Sequence, residues 1–104
     1  MSDRELLELA AKAAGIEVFW LAGWNLLVLK RNKQAWNPLT DDGDALRLAV
    51  KLRIEVEPWI HGDSACARAA VREVLVDEPH YGDDPERATR RAIVRAAAEI
   101  GKGV

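Results

Sequence analysis

Apolar residues spaced three and four apart behind a polar helix-start signal occur in two stretches, Trp36 to Arg53 (WNPLTDDGDALRLAVKLR) and Ala88 to Lys102 (ATRRAIVRAAAEIGK). Each spells a capped amphipathic helix, with one side to bury and one to leave wet. In the first, Pro38 stops extended structure and Thr40 stands where an N-cap is wanted, with Asp41, Asp42 and Asp44 in the turn it starts. Ala45, Leu48, Ala49 and Leu52 then make the apolar side, while Arg47 and Lys51 lie on another. In the second, Pro85 takes the favoured first-turn position, Ala88, Ala92, Ile93, Ala96, Ala97 and Ile100 form the buried side, and Gly101 is expected to end the helix.

The rest of the chain alternates. Ser2 caps a helix whose first turn holds Asp3 and Glu5 and whose stripe is Leu6, Leu9, Ala10 and Ala13, with Gly15 as its stop. Ile16 to Arg31 reads as a β-hairpin turning at Gly23-Trp24-Asn25. Ile54, Val56 and Ile60 alternate with Glu55, Glu57 and Trp59, the period of a half-buried strand, and Pro58 assigns it to an edge or a strand end. Asp63 to Asp77 is divided: its alanines favour helix, whereas Val71, Val74, Leu75 and Val76 favour strand. A strand pair is the preferred reading, with a helix from Ser64 to Leu75 as the alternative. A loop is expected over Glu78 to Asp84.

This order predicts an α+β fold, a mainly antiparallel β-sheet layered with about three α-helices, in a single domain over residues 1–104. A chain of 104 residues that is 49% hydrophobic can bury one small core. Fifteen basic against seventeen acidic side chains give a net charge of −2 and no global field for nucleic acid or an anionic membrane. The longest apolar runs fall far short of the roughly 20 residues needed to span a bilayer. One cysteine, Cys66, makes no internal disulfide, and the N-terminus lacks a secretory pattern, so a reducing cytoplasm is the expected location.

Residues able to carry chemistry are sparse. Asp41, Asp42 and Asp44 sit on adjacent helical positions and do not converge on a cation, so capping accounts for them. His61, Asp63, Cys66 and His80 form the one set of zinc-ligand types, without the paired spacing zinc sites use, and surface histidines with a buried thiol are expected instead. Ser64, Cys66, Thr40 and Thr89 are candidate nucleophiles, but no nucleophile elbow, phosphate loop or dinucleotide fingerprint surrounds them. A non-enzymatic protein without cofactor or metal is expected. Binding is better represented. Arg87, Arg91 and Arg95, with Arg90 beside them, line one side of the last helix and offer a basic stripe to nucleic acid. Among four tryptophans, Trp20 is assigned to the core, and Trp24, Trp36 and Trp59 to element ends where an aromatic ring can anchor a partner.

Both helical stretches resemble a family of small phage and prophage proteins of the phage ABA-sandwich type. The likeness rests on Trp36, Asn37, Pro38, Leu39, Thr40, Asp42, Gly43, Ala45, Leu46, Leu48 and Ala49, and on Ala88 to Ile93 with Ala96 and Ala97. The two stretches span about a third of the chain. The resemblance implies a phage or prophage origin and a layered fold, and brings no catalytic residue, because the family has none assigned. The resulting expectation is a small accessory protein that binds a protein partner, such as a component of host defence, through the tryptophan-bearing edge or the last helix. Nucleic-acid binding by the arginine stripe is the alternative.

Overall fold

The computed structural model describes all 104 residues and shows the α+β arrangement. Helix α1 (Asp3–Ala14) precedes a hairpin of β1 (Val18–Leu21) and β2 (Leu26–Leu29). Helix α2 (Asp42–Leu52) leads to β3 (Glu55–Ile60), β4 (Ser64–Ala69) and β5 (Val74–Pro79), and α3 (Pro85–Gly101) closes the chain. The strands divide into two antiparallel sheets, the hairpin alone and a three-stranded sheet in the order β3-β4-β5. The hairpin register pairs Val18 with Leu29 and Leu21 with Leu26, so Ala22 to Asn25 form the tip.

The divided segment is a strand pair. Its alanines serve tertiary packing rather than helix: Ala65, Ala67 and Ala69 share the face of the central strand turned toward α3 and are fully or almost fully buried. Strand and helix backbones can approach closely because both surfaces are small, Ala92, Ala96, Ala97 and Ala98 lying buried on α3. A 3₁₀ turn, Val71–Glu73, joins β4 to β5, with Arg72 and Glu73 at positive φ.

Helix α3 is the centre of the molecule, packed against β3, β4 and β5 on one side and against α1 and α2 elsewhere. This explains why Val94, Ala98 and Gly101 are buried in addition to the expected apolar side. The helix ends at Gly101 as expected, but with the glycine as its last turn's final residue and not as a left-handed cap, because a side chain there would collide with the backbone of Leu9 on α1. In α1 the buried set is Leu6, Leu7, Ala10, Ala11 and Ala14, and Leu9 and Ala13 are half-buried at its edge. A single cluster of 23 buried residues draws on α1, β2, α2, β4, β5 and α3. Leu48 is among its most enclosed members, and truncation to alanine there costs about 2–5 kcal/mol.

Helix ends follow local chemistry. Ser2 and Glu5 form a reciprocal capping box, and Gly15 closes α1 at φ 67° by donating its N–H to the Ala11 and Lys12 carbonyls. The cap of α2 is Asp41 rather than Thr40: its carboxylate accepts from the Asp44 N–H at 2.8 Å. Thr40 lies one residue early, in a turn where its hydroxyl donates to the Asn37 carbonyl. The loop after β5 is also shorter than expected, since the strand runs to Pro79. Asp84 then caps α3, accepting from the Arg87 N–H at 3.1 Å.

Candidate functional site

The six expected contact residues do not meet in one place. Trp24 is 77% exposed at the hairpin tip and Trp59 is 56% exposed on β3. Trp36 is 4% exposed and belongs to the core cluster, which removes it from any contact surface. Its backbone explains the burial: the Trp36 N–H donates to the Leu27 carbonyl at 3.0 Å, drawing the segment after the hairpin along β2 and carrying the indole inward. Trp20, assigned to the core, is half-buried against it, with the Arg4 guanidinium 4.4 Å from its ring.

The arginine stripe is largely consumed by the fold. Arg95 Nη1 donates to Glu78 Oε2 at 2.5 Å and to the Asp77 carbonyl at 3.0 Å. Arg91 Nη1 donates to Asp3 Oδ1 at 3.1 Å and its Nε lies 3.7 Å from Glu78 Oε1. Arg90 reaches back to α2, donating to Asp42 Oδ1 at 2.7 Å and to the Leu39 carbonyl at 2.8 Å. Arg87 alone is exposed without an ion-pair partner. Arg90, Arg91 and Arg95 therefore tie α3 to α2, α1 and β5, and one unmatched cation is a weak attractor for a polyanion.

One histidine and the thiol are likewise enclosed by the fold. His80 is buried, not on the surface: its Nε2 is 2.9 Å from the Pro58 carbonyl and its Nδ1 accepts from the Gly82 N–H at 2.9 Å. These partners fit a neutral ring that donates through Nε2, and they leave neither nitrogen for a metal or a substrate proton. His61 sits at φ 54° in the β3–β4 turn, and no three His, Cys, Asp or Glu side chains converge as a metal site would require. Cys66 is buried as expected, and burial, aided by the nearby Asp77 carboxylate, pushes its thiol up from the ordinary range and away from nucleophilic thiolate. The Ser64 hydroxyl donates to Asp63 at 3.1 Å and that of Thr89 to the Pro85 carbonyl at 2.7 Å.

What the structure does assemble is an apolar groove around Trp59. A cleft of about 440 Å³ runs between α2, β3 and the start of α3, with Leu46, Val56, Pro58, Trp59 and Ile93 in its lining. Leu46 is 64% exposed, and Val50, one turn further on the same helix, is 70% exposed. The Trp59 ring is held edge-on to His80, centroids 4.7 Å apart and planes 82° apart, while His80 is fixed through the Pro58 carbonyl beside it. This stacking pre-sets the indole, so little side-chain freedom remains to be lost on contact. β3 pairs only with β4 and is an edge, but Pro58 and a register shift between Glu57 and Ile60 interrupt its free ladder. Side chains rather than strand addition would carry a contact here.

Sequence reasoning placed Trp59 at this edge but missed Leu46 and Val50. Their signal was available: both fall outside the Ala45, Leu48, Ala49, Leu52 stripe and are apolar where a wet helix face is expected to be polar. No helix is long and apolar enough to cross a membrane. Comparison of the chain with protein-family models, with curated proteins and with solved structures found no match.

Proposed function

We propose that this chain is a small phage or prophage-encoded accessory protein that acts by binding a protein partner through the groove around Trp59. The observation that carries the reading is that exposed Leu46 and Trp59 line one groove together, with Val56, Pro58 and Ile93 between them. Contiguous exposed apolar surface of this kind marks interaction sites, and tryptophan is among the residues that dominate binding energy at them. The origin rests on the likeness of the two helical stretches to the phage family. A cytoplasmic location in a bacterial host goes with that origin, and binding without catalysis agrees with the engagement of both His80 nitrogens and the burial of the thiol.

Affinity capture from bacterial lysate with wild type and three variants tests the proposal. A reproducible partner retained by wild type and Trp24→Ala, and lost by Trp59→Ala and Leu46→Asp, is the expected outcome. Retention by all four proteins, or no reproducible partner, contradicts it. Because Leu46 and Trp59 are exposed, both variants are expected to stay folded, which circular dichroism verifies.

A further inference from the structure

Positive charge unmatched by an anion is concentrated away from α3, around the base of the hairpin. A cleft of about 1010 Å³ lies between the end of α1, the hairpin and α2, and a second of about 510 Å³ opens on the α1 side of β1. They share Ile16, Glu17 and Lys30, so the two form one track around the hairpin base. Three carboxylates line it, and each is already taken: Glu8 by Arg4 at 3.4 Å, Glu17 by Lys30 at 3.1 Å and Asp44 by Arg47 at 2.8 Å. Arg31 and Lys51 in the larger cleft and Lys12 in the smaller have no such partner. Phe19 lines the smaller cleft and is partly exposed, and Lys33, outside both linings, is engaged by the Lys30 carbonyl at 3.1 Å and by the Phe19 ring, its Nζ 4.8 Å from the centroid.

We infer that this track binds single-stranded nucleic acid, independently of the Trp59 groove. Charge complementarity is the first argument: three unmatched cations, Arg31, Lys51 and Lys12, persist along a continuous concave path on a protein of net charge −2, where phosphates can be matched in succession. The second is the lining between the cations. Ile16, Leu29 and Ala35 line the track together with the partly exposed Phe19 ring, an apolar lining that suits unpaired bases able to turn a flat face inward. A duplex hides those faces, and an acidic peptide would use the cations without needing the aromatic ring. This placement moves nucleic-acid binding from the arginine stripe, whose charges are spent within the fold, to the hairpin base.

Fluorescence anisotropy of a labelled 12-nucleotide oligothymidylate, measured on the full chain across a salt series, tests the assignment. Binding is expected at low salt, weakening with a log–log slope of about −2, the value for three phosphate contacts on a single strand. Arg31→Gln and Lys51→Gln should each reduce that slope by about 0.7, while Arg87→Gln leaves it unchanged. Phe19→Ala should weaken binding severalfold with the slope intact. All four positions lie at the surface, and circular dichroism confirms that each variant is folded. Absence of binding at low salt overturns the inference, as does a slope insensitive to Arg31 and Lys51. A polyglutamate peptide that competes fully, together with indifference to Phe19→Ala, overturns it in favour of an acidic peptide. Neither result bears on capture by the Trp59 groove.

Discussion

Gly101 of α3 lies directly against the carbonyl group of Leu9 in α1, so close that a methyl group in place of its hydrogen would overlap the Leu9 oxygen. The approach lets the end of the central helix seat on the first helix of the chain. Gly101→Ala is therefore expected to destabilise the protein by about 1–3 kcal/mol, the range for overpacking, although alanine is the better helix former at an unconstrained site. Urea denaturation checks the sign: stabilisation would mean that the two helices do not meet here.

Arg53 closes α2 in the left-handed region at φ 55°, a conformation that costs an ordinary side chain about 1–2 kcal/mol and glycine almost nothing. Its side chain is exposed and makes no ion pair, so nothing offsets that strain. Arg53→Gly should raise stability by up to about 1 kcal/mol after allowing for the greater freedom of glycine in the unfolded chain. Thermal unfolding of the variant, with a midpoint above wild type, is the expected reading.

Glu78 holds two cations of α3, Arg95 at 2.5 Å and Arg91 at 3.7 Å, and is itself largely shielded from solvent. Glu78→Gln should cost about 1–2 kcal/mol, discounted from a fully buried pair because both arginines retain contact with water. Arg87→Gln, at a position with no partner, should stay within about 0.5 kcal/mol of wild type. Equal losses at both positions in a denaturation series would contradict the division of the arginine stripe into structural and free cations.

The Glu5 carboxyl is held below its ordinary range by hydrogen bonds from Ser2, first its backbone N–H and then its hydroxyl. A depressed acid contributes stability that is present above its unfolded pKa and lost as pH falls through the folded value. The capping box of α1 should thus weaken as pH falls below about 4.5, where a free glutamate is half protonated. Comparison of wild type with Glu5→Gln across that range is the measurement: the gap between them is expected to close on acidification, and a gap that widens would reverse the assignment.

Much of the architecture is legible in the sequence because it depends on neighbours. Ser2 with Glu5, Gly15 and Pro85 announce helix ends through bonds spanning a few residues, and the hairpin tip at Gly23 to Asn25 needs only turn chemistry. Thr40 and Asp41 are equally good caps in isolation, and the choice between them falls to the Asn37 turn, which uses Thr40 first. The alanines of β4 mislead by propensity, because their smallness answers to α3 across the core rather than to their own backbone. The same holds for function. Arg91 with Asp3 joins residues far apart in the chain, so the stripe looks free until the fold supplies its partners. Trp36 looks peripheral until its backbone bond to Leu27 turns it inward.

Tryptophan fluorescence distinguishes these environments. Acrylamide should quench the Trp24 and Trp59 contributions and spare Trp36, assigned by single Trp→Phe variants. A Trp36 as accessible as Trp24 would contradict its place in the core.

The most direct test of the central proposal is site-specific photo-crosslinking in a bacterial lysate, with a photoreactive residue placed at Leu46, at Trp59 or, as a control, at Leu75 on the exposed face of the three-stranded sheet. The same protein crosslinked from positions 46 and 59 and absent from position 75 is the predicted result. Equal crosslinking from all three positions, or a partner captured from position 75 alone, would contradict the assignment of the Trp59 groove as the contact surface.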